Sequence, residues 1–256
     1  MELLYGRHAV LESLRAGRRK VHRVYLTAGA KQTGSVAEIL TAARLCGCPV
    51  VEAPRQTIER AGPVNHQGVL AETGPYPYVG LDEVLREAQD TEPLYLVLDH
   101  LQDVQNVGTL LRTAEAMAVT AVLLPDRRAA EITPAVVNAS AGAVEHLRVA
   151  LAGNLVQTLD RLKAAGVWVA GLDARREAVP LERADLTGPL ALVVGAEGAG
   201  LARLVRERCD WLLAIPMYGR VASLNAAVAG SVALVAARQA HSRRQAAPVG
   251  ERPAAG

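Results

Sequence analysis

The stretch Leu190-Ala191-Leu192-Val193-Val194-Gly195-Ala196-Glu197-Gly198-Ala199-Gly200 decides how the rest of the chain is read. Its first half is a continuous apolar run rather than an alternating one, which marks a strand covered on both faces and therefore a parallel sheet. Its second half, Gly195-x-Glu197-Gly198-x-Gly200, places three glycines between that strand and an apolar-periodic segment with Leu201, Leu204 and Val205. Glycines there let the backbone approach a ligand closely and present its N–H groups. A dinucleotide-binding loop is the obvious competitor, but the Gly-x-Gly-x-x-Gly spacing is absent and an acidic residue in the loop would repel a pyrophosphate. On its own the run fits a structural turn equally well.

Outward from this point the same strand-then-helix alternation recurs. Strands are expected at 94–99, 120–124, 147–149, 167–171, 190–195 and 211–215. Helices are expected at 106–117, 133–139, 153–165, 200–207 and 223–240. Two further loops resemble the first in being polar beside apolar sequence. Asn106-Val107-Gly108 with Arg112 opens one helix, where Asn106 fits an N-cap and Arg112 fits either a site or a surface charge paired with Glu115 or Asp103. Gly108 in the first turn costs on the order of 1 kcal/mol against Ala, so a packing or ligand reason is expected. Ile215-Pro216-Met217 ends a strand and Ser223-Leu224-Asn225 opens the last helix, with Ser223 a candidate N-cap. Asn225 is a poor helix former for a first turn, and the expectation is that its amide faces the same cavity as Glu197. Loops that follow buried strands are where α/β proteins bind ligands.

Upstream, residues 4–17 fit a helix, Val24-Tyr25-Leu26 a strand, 35–46 a helix, Val50-Val51 a strand, 56–60 a short helix and 68–71 a strand. This is a small α/β domain of its own. Gly74-Pro75-Tyr76-Pro77-Tyr78 breaks regular structure, since each proline fixes φ and removes a donor, and a bridging helix from Leu81 to Ala88 follows. The boundaries expected are 1–73 for the small domain, 74–92 for the linker, 93–242 for the parallel-sheet domain and 243–256 for a disordered tail.

Across 256 residues half are apolar, with no Phe, so Leu, Val, Ala and Ile build the core. The formal net charge is only +2, so any nucleic-acid surface has to be local. Arg7, Arg18, Arg19 and Arg23, with Arg15 and Lys20, offer such a surface, although a cluster of this kind also fits a solvated face. The three cysteines, Cys46, Cys48 and Cys209, include no Cys-x-x-Cys pair, which argues against a disulfide framework or a zinc site and fits a reducing cytosol. No apolar run approaches the roughly 20 residues that span a bilayer, and the expectation is a cytoplasmic chain with no membrane partner.

Taken in order, the three loops closely resemble the three motifs of the SpoU/TrmH branch of the SPOUT methyltransferases. The opening Leu4-Tyr5-Gly6-Arg7-His8-Ala9-Val10-Leu11-Glu12 is similar to the N-terminal RNA-binding domain of the RlmB-type 23S rRNA guanosine methyltransferases. The resemblance covers nearly the whole chain. It implies an α/β fold with a small N-terminal RNA-binding domain, a parallel-sheet catalytic domain and a C-terminal trefoil knot, against the general avoidance of knots. It also implies 2′-O-ribose methylation of RNA with S-adenosylmethionine, no metal, no DNA, and a homodimer formed through the catalytic domain. The Ala/Val-rich helix from Ala226 to Ala237 is apolar enough to be buried on several sides, against a partner copy or equally inside one monomer. Carried over by position, Val194, Gly195, Ile215, Leu224 and Ala226 hold the cofactor, and Asn106, Arg112, Glu197 and Asn225 carry the chemistry. The substrate implied is a guanosine near the peptidyl-transferase centre of 23S rRNA. Transfer RNA, an rRNA adenosine, or a non-catalytic role in ribosome assembly are the alternatives. Two positions depart from the family pattern: Val104 stands where a Pro is common, and Ala227 where some relatives have Ser.

Overall fold

The computed structural model describes residues 1–87, 92–126, 131–175 and 177–246. In chain order its elements are β1 (Glu2–Tyr5), α1 (Arg7–Ala16), β2 (Val21–Thr27), α2 (Ser35–Leu45), β3 (Val50–Ala53), α3 (Arg55–Ile58), β4 (Val69–Thr73), α4 (Leu81–Glu87), β5 (Leu94–Asp99) and α5 (Val104–Ala116). They continue as β6 (Ala121–Pro125), α6 (Pro134–Ala139), β7 (Val149–Ala152), α7 (Leu155–Ala164), β8 (Trp168–Leu172), β9 (Val179–Pro180), β10 (Leu190–Gly195), α8 (Arg203–Arg208), β11 (Trp211–Ala214) and α9 (Ala226–Ala246). Two compact units interleave along the chain. One takes Met1–Tyr78, Asp103–Glu115 and Ala130–Leu147, and the other Val79–Gln102, Ala116–Ala129 and the chain from Arg148.

The first unit carries a four-stranded sheet in the order β1-β4-β2-β3, in which β2 and β3 are parallel and the other pairs antiparallel. The strand β1 occupies residues that the sequence pattern joins to the following helix. Gly6, at φ 91°, separates the two. The helix α1 buries Val10, Leu11 and Leu14, the face its spacing marks, and ends at Gly17 in a left-handed cap. The segment from α6 to the 3-10 turn Ala143–His146 belongs to this same unit. Asn138 Nδ2 donates to the Tyr5 carbonyl at 3.0 Å. The buried Tyr76 hydroxyl donates toward the Leu147 carbonyl at 2.7 Å and that of Val144 at 3.0 Å. That turn pushes β7 to 149–152, past the expected 147–149.

The second unit is a seven-stranded, all-parallel sheet in the order β7-β6-β5-β10-β8-β11-β9. Strand order reverses between β5 and β10, which makes that pair the switch point of the sheet. One face packs Tyr95, Val97, Leu123, Val169, Ala191 and Val193 against Leu155, Leu159, Leu162 and Val205 from α7 and α8. On β10 itself lies α9, whose buried residues include Ala227, Ala233, Leu234 and Ala237. This helix continues to Ala246, beyond the 240 expected for it and into the tail expected from 243, and the rest of that tail lies outside the described residues, as does the Ala88 end of the bridging helix. Among the described residues no helix is long and apolar enough to cross a membrane.

Candidate active site

At the carboxyl ends of β8, β10 and β11 a cavity of about 460 Å³ opens, lined by Leu172–Arg175, Val194–Gly200, Arg206, Leu213, Ile215, Met217, Ala222–Ala226 and Ala229. It brings together seven residues singled out in the sequence: Val194, Gly195, Glu197, Ile215, Leu224, Asn225 and Ala226. Gly195 has to be glycine, because a Cβ there would lie 2.3 Å from the Gly200 carbonyl carbon and 2.4 Å from its oxygen. The Ala196 N–H donates to the Gly200 carbonyl at 3.1 Å and the Gly200 N–H to the Ala196 carbonyl at 2.8 Å, so the loop folds back on itself. Gly198 and Gly200 take positive φ, at 78° and 66°, which a Cβ would strain. The loop is fixed at its far end by Asp99, whose Oδ2 accepts from the Ala202 N–H at 2.6 Å.

The start of α9 supplies the opposite wall. Its N-cap is Asn225 and not Ser223: Asn225 Oδ1 accepts from Ala227 N–H at 2.9 Å and from Val228 N–H at 3.3 Å. The other end of the same amide, Nδ2, donates to Glu197 Oε2 at 3.4 Å, a long bond. One side chain thus caps a helix and faces the Gly-rich loop. The cavity also holds a polar cluster that the sequence pattern did not mark. Asp173 Oδ2 lies 3.4 Å from Arg175 Nε and 3.8 Å from Arg206 Nη1. A signal for it existed in the Leu172-Asp173 pair, an acid directly after a buried strand.

Asn106 and Arg112 lie on α5, in the first unit. The cap here is Asp103, whose Oδ1 accepts from the Asn106 N–H at 2.7 Å, so Asn106 stands within the first helical turn rather than at the N-cap. Arg112 is exposed. Gly108 has a packing reason: a Cβ there would meet the Ala139 Cβ at 2.4 Å, so α5 and α6 touch only because it is absent.

The expected basic surface is corrected at two positions. Arg19 is buried, with 1% of its side chain exposed, and its guanidinium meets two carboxylates. Nη1 donates to Glu2 Oε2 at 2.7 Å and Nε to Glu145 Oε2 at 3.1 Å, while Nη2 makes a 2.8 Å ion-pair contact with Glu145 Oε1. Burial pushes the Glu145 carboxyl up, with Arg19 pulling against it. Arg18 is half-buried and donates to the carbonyls of Leu147 and Pro77 and to the Tyr76 hydroxyl. Both guanidinium groups are thus bonded to partners within the protein. Arg7 donates through Nε to the Gln67 carbonyl at 3.2 Å, and Arg23 is exposed.

The three thiols are free, Cys46 exposed and Cys48 buried, with burial raising Cys209 to about 12. Among the described residues no group of three His, Cys, Asp or Glu side chains is arranged to hold a metal.

Comparison with known proteins shows the family. The SpoU rRNA methylase family matches residues 93–235, and the RNA 2′-O ribose methyltransferase substrate-binding family matches residues 3–79. YacO of Bacillus subtilis, described as a TrmH family tRNA/rRNA methyltransferase, is 36% identical over 252 residues, 98% of each chain. The AdoMet-bound rRNA methyltransferase of Sinorhizobium meliloti superposes with a TM-score of 0.74 at 26% identity, over 93% of this chain and 87% of that one. AviRb of Streptomyces viridochromogenes, a SpoU methyltransferase in complex with AdoMet, shares the fold with a TM-score of 0.75 at 22% identity, over 93% and 89% of the two chains. With both domain families matched and a full-length relative at this identity, the chain belongs to the SpoU/TrmH family of RNA methyltransferases.

Proposed function

We propose that the chain methylates a ribose 2′-hydroxyl of RNA with S-adenosyl-L-methionine, and that its target is a guanosine of 23S rRNA near the peptidyl-transferase centre. The observation that carries this reading is the cavity between the Gly195–Gly200 loop and the start of α9, with the Asn225–Glu197 contact across it. Its volume is within the range of cofactor sites, which run from about 300 to 1,000 Å³. The residues fit the cofactor: Val194, Ile215 and Leu224 offer an apolar wall for adenine, the missing Cβ at Gly195 leaves backbone in reach, and Asp173 with Arg175 and Arg206 offers charges of both signs for an amino-acid end. When bound, the cofactor supplies an electrophilic methyl group on sulfonium.

The chain's own residues then have to orient the ribose and favour loss of its hydroxyl proton. Glu197 and Asn225 are the orienting pair, since a carboxylate accepts and an amide both donates and accepts. Arg112 is assigned an electrostatic role toward the developing alkoxide, because guanidinium keeps its proton. Asn106 belongs to the same set on α5. Positioning of this kind is worth much, as well-oriented partners reach effective molarities of roughly 10⁵ M or more.

Residues 1–73 are assigned to RNA binding, with Arg7 and Arg23 as the phosphate contacts that remain, and 93–242 to catalysis, including the family's trefoil knot around the passage from β11 to α9. A homodimer in the cytoplasm completes the proposal. Val228, Val232 and Val235, spaced as one stripe of α9, are 47%, 40% and 37% exposed and support a partner copy there. Incubation with labelled S-adenosylmethionine and ribosomal RNA, followed by mapping of 2′-O-methylation, is expected to return one methylguanosine in large-subunit RNA. Labelling of a base nitrogen or carbon would overturn the reaction, and a mark in transfer RNA would overturn the target alone. Absence of cofactor binding by calorimetry would favour the non-catalytic assembly role.

A further inference from the structure

Asp99 ends β5 with only 1% of its side chain exposed. A carboxylate taken out of water needs partners, and this one has two on different elements. The Ala202 N–H donates to Oδ2 at 2.6 Å, and His100 Nδ1 lies 2.5 Å from Oδ1. The His100 side chain has the opposite character, being 41% exposed. Its backbone is left-handed, with φ at 57°. Glycine adopts that conformation freely, whereas a Cβ makes it unfavourable, and strained non-glycine backbone concentrates at functional sites. The location agrees. Asp99 pairs with Gly195 across the β5–β10 switch point, so His100 leaves β5 at the edge where Ala196 opens the cofactor loop. Open α/β sheets bind their ligands in that crevice.

We propose that His100 is an RNA-binding residue that contacts a phosphodiester oxygen, with Asp99 as its positioning residue. This rests on the methyltransferase reading of the neighbouring cavity. The Asp99 carboxylate holds Nδ1–H as a donor, which fixes the ring and leaves Nε2 for a ligand. With a proton on each ring nitrogen, Nδ1–H donates to the carboxylate and Nε2–H to an anionic oxygen in a charge-assisted bond. The same carboxylate anchors Ala202 at the end of the Gly195–Gly200 loop. RNA backbone and cofactor loop are thereby referred to one fixed point, which is how phosphate contacts set register without reading a base.

His100→Gly tests this, because it removes the ring and relieves the backbone together. Binding of a ribosomal RNA fragment is read by fluorescence anisotropy across a salt series, alongside methyl transfer, S-adenosylmethionine affinity and Tm. The expected result is RNA affinity weakened about 3–10-fold, the size of one exposed charged contact. The slope of log K against log salt should fall by about 0.7–0.9, the loss of one phosphate contact, while cofactor affinity stays unchanged and Tm is unchanged or higher. His100→Lys should recover the salt slope. Unchanged RNA affinity and slope would overturn the proposal, and so would a lowered Tm with weakened cofactor affinity, which would make His100 a strut of the loop. If the wild-type protein binds RNA but transfers no methyl group, the enzymatic reading fails while the contact stands or falls on the anisotropy. A wild-type protein that binds no RNA overturns both.

Discussion

Residues 1–78 and the second unit use their most conspicuous side chains in opposite ways. In the first region the eye goes to Arg18-Arg19-Lys20-Val21-His22-Arg23, and the two leading arginines are turned inward. Arg19 is paired with Glu145, which lies 126 residues further along the chain. In the second unit the conspicuous residues are the glycines of 195–200 and Asn225, and they face the cavity. The difference is physical. A charge reveals nothing about where its partner lies, so a cationic run reads the same whether it faces phosphate or a buried carboxylate. A glycine-rich loop after a buried strand carries its meaning locally, because the backbone conformation it permits is fixed within a few residues.

Breaking the Arg19–Glu145 pair should give the largest effect. Arg19→Ala leaves a buried carboxylate without its partner and should cost about 3–5 kcal/mol in urea unfolding. Arg19→Met combined with Glu145→Leu should recover most of it. If Arg19→Ala instead kept its stability and weakened RNA binding, the contrast between the regions would collapse. Arg23→Ala is the counterpart, expected to leave stability alone and to lower the salt slope of RNA binding. Next comes Arg112→Lys, which keeps the charge but loses the planar fork. It should lower kcat by about 10²–10³-fold, the scale of a lost oxyanion donor, with Tm unchanged. Full turnover in that variant would show that geometry at Arg112 is unimportant.

Asn225→Asp is a finer instrument. It retains the capping oxygen for α9, whose loss to Ala would cost about 1 kcal/mol, but it faces Glu197 with a second negative charge. The expected outcome is a held Tm with reduced kcat, whereas a fall in Tm at normal kcat would make Asn225 only a cap. The smallest effect concerns His241, buried in α9. Burial first and the Arg238 guanidinium second hold its pKa below the ordinary 6.5. The unfolded chain therefore takes up the proton first as pH falls. The resulting stability is complete above pH 6.5 and is lost as pH falls through the lower folded value. Tm measured from pH 7.5 down to 5 should fall less in His241→Leu than in wild type.

Legibility in the sequence followed the same physical divide. Both central strands were legible to the residue, at 94–99 and 190–195, because each is an unbroken apolar run closed by Asp99 or Gly195. Helix starts were displaced by two or three residues where two capping side chains stand close together, Asp103 against Asn106 and Ser223 against Asn225. Either could accept from the first turn, and only the tertiary course of the backbone decides between them. The strand β1 was hidden because Leu3 and Leu4 extend the apolar spacing of α1. Of the cavity, the Gly-rich loop and Asn225 could be read. Asp173, Arg175 and Arg206 were not marked: the Leu172-Asp173 pair was their one signal, and side chains of a loop and a helix become a cluster only after folding.

The interleaving of the first unit has a consequence in time. On the ribosome, residues 1–78 are made well before the Ala130–Leu147 segment that completes them. At 5–20 residues per second, roughly 70 further residues take about 3–14 s. Through that interval the nascent sheet carries an Arg19 guanidinium with no Glu145 and a Tyr76 hydroxyl with no Val144 or Leu147 carbonyl. The N-terminal region is thus made first and finished late, and a fragment cut after Tyr78 would remain in the state the growing chain only passes through.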